Sequence, residues 1–164
     1  MIGKLQRPVD FERVLGRQSR ARSAHFALHH LPASPAPSAW HAARLRTAQA
    51  ELSTGDAQPV HNLVDQDPPA PEGCWVGMVV PKRHARRSVT RQLLKRQIRA
   101  AFAERPGMPP GMWVVRLRSP FDRQQFPSAA SDALRQAARA ELAQLLDRAL
   151  KPRPAPAPRQ EPAA

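Results

Sequence analysis

An apolar run at 76–80, stopped by Pro81 and followed by a basic turn and a helical period, constrains this chain more than any other stretch. Val76, Met78, Val79 and Val80 suit a strand buried on both faces. Pro81 has no N–H to continue a ladder. Lys82, Arg83, Arg86 and Arg87 make the turn basic, and Ser88 is a suitable helix cap. At about 100° per residue, Leu94, Ile98, Ala101 and Phe102 fall on one side of the helix that follows. Arg91, Lys95 and Arg99 run along its flank, with Gln92 and Arg96 in a second row beside them. Such a helix buries one stripe and shows a basic one.

From Gly73 to Ala103 there is no Asp or Glu. Solvated helix faces usually mix both signs, with acids spaced to pair with Lys or Arg. A face without acids is built to meet a polyanion. The chain's net charge of +13 and pI near 11.7 agree, because phosphate backbones reward many Lys and Arg contacts by releasing counterions. Charge does not separate RNA from DNA. The order strand, basic turn, basic helix favours RNA, because a helix-turn-helix reader needs a short helix where 76–80 reads as strand.

Catalytic patterns are missing from the sequence. It has no Gly-rich phosphate loop, no His-Glu-x-x-His and no Cys-x-x-Cys. Cys74 is the single cysteine, which rules out an internal disulfide and a Cys-rich zinc site. His29 and His30 are adjacent on an expected strand and point to opposite faces, so they do not form a metal pair. The carboxylates are scattered and suggest no two-metal nuclease.

Along the chain, 8–15 is expected to be a short helix, 17–22 a basic connector and 25–31 a strand with Phe26, Leu28 and His30 on one side. The segment 32–73, rich in Pro, Ala, Ser, Asp and Gln, is expected to be a disordered insertion with a brief helical possibility near 40–52. Strand 75–80, helix 88–102, strand 112–117, loop 120–127 and an Ala- and Leu-rich helix over 128–150 follow. Leu134, Ala138, Leu142, Leu145 and Ala149 are the buried stripe expected of that last helix. The Pro-rich tail 151–164 is expected to be disordered. The expected fold is α+β: a single domain, 1–31 with 74–150, whose small three- to four-stranded sheet is packed with helices. With no apolar run of membrane length and no signal-peptide core in its first residues, the chain is expected in the cytoplasm.

These residues resemble the protein subunit of bacterial ribonuclease P. Asp10-Phe11 matches that family's N-terminal helix, and His25-Phe26-Ala27-Leu28-His29 its first strand. Val76-Gly77, Lys82-Arg83 and the spacing Arg91-Gln92-x-x-Lys95-Arg96-x-x-Arg99 match its strand, turn and basic helix. Gln92 stands where the family has Asn, Arg86-Arg87 where small residues are usual, and 32–73 is longer than usual. The resemblance implies a partner RNA that hydrolyses a phosphodiester with magnesium and removes the 5′ leader of precursor tRNA. It implies no catalytic residue and no metal motif in the protein, which would be a monomer in a 1:1 complex with the RNA. The family's basic helix contacts the partner RNA, and with the acid-free charge of this stretch that makes Lys82, Arg83, Arg86, Arg87, Arg91, Gln92, Lys95, Arg96 and Arg99 the candidates for RNA contact. It also implies a leader cleft between sheet and first helix, with Phe11, Phe26 and His29 as candidates. A Phe on a strand or an amphipathic helix is more often a core residue, so Phe11 and Phe26 are read first as core, with stacking on unpaired bases as the alternative.

Overall fold

A computed structural model describes residues 2–37, 43–44, 47 and 70–152. Strand β1 (Ile2–Lys4) leads into helix α1 (Pro8–Leu15), then β2 (Ala21–Arg22) and β3 (Phe26–Leu31). Beyond the insertion come β4 (Cys74–Val79), α2 (Ser88–Ala103), β5 (Gly111–Leu117) and α3 (Asp132–Leu150). The strands form one five-stranded sheet in the order β1-β4-β5-β3-β2. β4 runs parallel to β1 and β5, whereas β3 is antiparallel to β5 and β2.

The expected α+β class holds, with two more edge strands than the three clearest in the sequence. β1 is three residues with Gly3 in the middle, and β2 is two residues inside the basic connector. Neither is long enough to show a period of two. β1 is set by its partner: Gly3 lies opposite Trp75, and a Cβ on Gly3 would come within 2.4 Å of the indole. Two helix starts also shift. Arg87, not Ser88, occupies the N-cap of α2, without a side-chain bond. α3 starts at Asp132 rather than 128, capped by Ser131, whose hydroxyl accepts from the Leu134 N–H at 3.1 Å.

β5 is the central strand, and its alternation sorts the packing. Trp113, Val115 and Leu117 join Phe26, Leu28 and Val76 under α2 and α3, where Leu94, Ile98, Phe102 and the stripe Leu134, Ala138, Leu142, Leu145 and Ala149 are buried. Met112 and Val114 face the other way, against Leu5 and Val14, with Phe11, Leu15, Leu31, Trp75 and Val79 packed around them. Gly77 is required here. A Cβ would meet the Phe11 ring at 2.6 Å, so the missing side chain lets α1 lie on the sheet.

Two polar clamps fasten the ends. Asp10 is 1% exposed and accepts from the Ala36 N–H at 2.8 Å, while Arg7 donates to the Ala36 carbonyl at 2.7 Å. The first residues after β3 are thereby tied to α1. The expected disorder of the insertion and tail, and the helical possibility near 40–52, fall largely outside the described residues. The second clamp is Glu141 on α3, which accepts from the Ser23 hydroxyl, the His25 N–H at 2.7 Å and the His25 ring at 2.7 Å. Burial alone would push this carboxyl up, but the bonds from Ser23 and His25 outweigh it and hold the carboxyl below its ordinary range.

Leu94 is fully buried and Val89, on the same helix, is 54% exposed. Leu94→Ala should cost about 2–5 kcal/mol in urea unfolding, and Val89→Ala within about 0.5 kcal/mol. Similar losses at both sites would contradict this packing.

His29 and His30 make stability pH-dependent. The His30 Nε2–H donates to the Pro110 carbonyl at 3.2 Å, leaving Nδ1 to accept from Arg20 at 3.3 Å. Burial first, then the Arg20 charge, push His30 below its ordinary pKa against the opposing Pro110 bond. Burial, then Arg116 and Arg22, do the same for His29 against its bond to the Arg17 carbonyl. The folded state therefore binds fewer protons than the unfolded chain. Its stability is complete above the unfolded histidine value of about 6.5 and falls as pH drops below it. His30→Gln should flatten the stability loss between about pH 7 and pH 5 in urea titrations; an unchanged slope would remove His30 from the linkage.

Candidate nucleic-acid interface

The basic turn is built by the backbone. The N–H groups of His84 and Ala85 both donate to the Pro81 carbonyl, at 3.1 and 3.0 Å. Ala85 is buried, which pins the turn to the core and leaves Lys82, Arg83, Arg86 and Arg87 exposed around it. Arg91 then braces turn to helix: its guanidinium donates to the carbonyls of Ala85 at 2.9 Å and Arg86 at 2.7 Å. It is half-buried, whereas Gln92, Lys95, Arg96 and Arg99 are exposed along α2.

The first turn of α2 contains no acid, although Arg86 and Arg87 lie beside the positive end of its dipole. The nearby acids are committed elsewhere: Asp132 to Arg135, Glu104 to Arg139 and Asp147 to Arg105. Among the described residues, none of Lys82, Arg83, Arg86, Arg87, Arg91, Lys95, Arg96 and Arg99 is in a salt bridge. A protein that gathers so much uncompensated charge on one side carries self-repulsion that a bound polyanion would relieve.

The three cleft candidates separate. Phe11 lies half-buried over Gly77 on the α1 side, and His29 emerges half-buried on that side of β3. Arg116, which the sequence reading did not single out, lies beside β3 in register with Ala27 and close enough to depress the His29 pKa. Phe26 does not join them. It is fully buried in the core on the opposite face, edge-on to Phe121. The parity of β3, which already separated Phe26 from His29, is the physical reason. The basic turn and α2 likewise lie on the face opposite α1.

Among the described residues, no group of three or more His, Cys, Asp or Glu is placed to hold a metal ion, and no helix is long and apolar enough to cross a membrane. Burial raises the Cys74 thiol above its ordinary pKa, which disfavours the thiolate. The Glu141–His25–Ser23 cluster is not a nucleophile relay, because Ser23 donates to the carboxylate rather than to the imidazole.

The fold and surface thus define an α+β protein with one helix kept basic and unneutralised. The chain belongs to the ribonuclease P family, whose model matches residues 3–149. It is 42% identical over 78 residues to a ribonuclease P protein component of Burkholderia mallei, covering 46% of this chain and 57% of that protein. The component from Ralstonia pickettii is 42% identical over 82 residues, covering 49% and 57%. The component from Paraburkholderia xenovorans is 40% identical over 77 residues, covering 46% and 55%. The chain therefore spans little more than half the length of the curated relatives it matches. No solved structure matches it significantly.

The arrangement assigns Arg91 a bracing role that its exposed neighbours lack. Arg91→Ala should lower stability by about 1 kcal/mol, the net worth of hydrogen bonds left unmade at a part-exposed site, and Lys95→Ala by less than about 0.5 kcal/mol. Equal melting temperatures for the two variants would overturn the brace.

Proposed function

We propose that this chain is the protein subunit of a ribonucleoprotein endonuclease that removes the 5′ leader of precursor tRNA. The partner RNA performs the phosphodiester hydrolysis, with magnesium at its own centre, and the protein contributes no catalytic residue. Lys82, Arg83, Arg86, Arg87, Lys95, Arg96 and Arg99 contact RNA phosphates. Arginines can do so bidentately, and lysines as point charges. Gln92 is the neutral donor and acceptor in the row, suited to a base edge or a 2′-hydroxyl. Arg91 holds the turn in shape for its neighbours. On the α1 side, Phe11, His29 and Arg116 offer a ring, an imidazole and a charge to the single-stranded leader, and Phe26 takes no part. The protein acts in the cytoplasm as a monomer with one RNA.

The observation that carries this reading is the acid-free turn and helix α2, whose cations make no salt bridge among the described residues, in a member of the ribonuclease P family. The test is cleavage of a 5′-labelled precursor tRNA by a bacterial ribonuclease P RNA at low magnesium, with and without the protein. The protein should restore correct 5′ cleavage and be inert without the RNA. RNA binding without rescue would replace this reading with that of a structural RNA-binding protein, such as a ribosome-associated component.

A further inference from the structure

Beside the basic turn an open groove of about 670 Å³ runs between 83–90 and the loop 120–129 that follows β5. This size falls within the roughly 300–1,000 Å³ of small-ligand sites. Its floor is apolar, with Phe121, Phe126, Leu94 and Leu134, and its rim carries Arg83, Arg86, Arg87 and Arg123. Phe121 is held firmly. His25 stacks on it with centroids 3.9 Å apart and planes 9° from parallel, and Phe126 meets it edge-on at 5.8 Å. Phe26 meets Phe121 edge-on as well, at 5.9 Å, and both Phe121 and Phe126 line the groove. The loop is moored to α2 by the Thr90 hydroxyl, which donates to the Ala129 carbonyl at 2.7 Å. The single acid in the lining, Asp122, turns back to accept from the Gln124 N–H at 2.9 Å. Among the described residues none of the four rim arginines is in a salt bridge.

Aromatic floor and cationic rim are what one unpaired nucleotide requires: a surface for the base to stack on and charges for the phosphates flanking it. We propose that this groove takes one base extruded from the partner RNA, stacked on Phe121 and Phe126, with its phosphates on Arg83, Arg87 and Arg123. The proposal rests on the RNA-binding reading above and adds to it a site on the loop, outside the basic helix. It separates two kinds of contact. The arginines act through charge and lose strength with salt, whereas the phenylalanines act through stacking and do not.

The test titrates the full chain with two probes, a bacterial ribonuclease P RNA and a short single-stranded RNA carrying 2-aminopurine, at several salt concentrations. Phe126→Leu keeps the apolar packing and should weaken both complexes about tenfold with an unchanged salt slope. Phe126→Trp should restore affinity and 2-aminopurine quenching. Arg123→Ala, at an exposed position, should weaken binding and flatten the slope by roughly 0.7 per single-strand contact. Melting curves of the free variants separate lost binding from lost folding. Wild-type affinity in both Phe126→Leu and Arg123→Ala would overturn the groove. If wild type binds the short RNA but not the ribonuclease P RNA, the proposed function falls and the groove is judged on the short RNA alone. Binding to neither overturns both. A protein dimer in sedimentation, abolished by Phe126→Leu, would give the groove to a second copy instead.

Discussion

The two-sided burial of β5 is the constraint on which the rest of the molecule depends. The strand is nearly all buried and sits between β4 and β3, so its alternate side chains must find separate partners. Trp113, Val115 and Leu117 take α2 and α3, and Met112 and Val114 take α1. Because α2 meets this core through Leu93, Leu94, Ile98, Ala101 and Phe102, its remaining face is left to solvent. That face carries Lys95, Arg96 and Arg99, and no Asp or Glu lies within 88–103.

The basic face follows from that packing as a second layer. Pro81 and buried Ala85 fold the turn tightly against the sheet, and Arg91 locks it to the helix. The exposed cations therefore sit on a turn braced by backbone and side-chain bonds, which lowers the ordering cost of meeting a polyanion. The α1 side is organised differently, with charges of both signs such as the paired Asp10 and Arg13, a Phe ring lying on Gly77 and a histidine whose burial and neighbouring arginines favour the neutral form.

Much of this was legible in the sequence where the pattern was long. The 3.6-residue period of 88–102 and the Leu and Ala stripe of 134–149 name the residues that the structure buries, and the parity of 25–31 puts Phe26 and His29 on opposite faces. Short elements were not legible. β1 and β2 exist because a neighbouring strand offers hydrogen bonds, not because three or two residues prefer that state. At the site, the composition of 82–99 marks the charged face, but nothing in it distinguishes Arg91 as a brace. Only the path of the turn brings the carbonyls of Ala85 and Arg86 to its guanidinium. Phe26 shows the converse. Its family position suggested a cleft residue, yet the main core on the α2 and α3 side consumes its whole ring. The groove with Phe121, Phe126 and Arg123 joins segments far apart in the chain and is visible only once they are folded together.

The central claim is that the unneutralised face of α2 and its turn meets RNA phosphates. The most direct test is the salt dependence of binding to a bacterial ribonuclease P RNA, compared between wild type and a Lys95→Ala, Arg96→Ala, Arg99→Ala triple variant. These residues are exposed and outside the core, so the fold should survive. The log–log slope should become shallower by roughly 0.7–0.9 for each phosphate contact removed, with affinity falling accordingly. An unchanged slope in a folded triple variant would contradict the account and place the RNA interface elsewhere on the molecule.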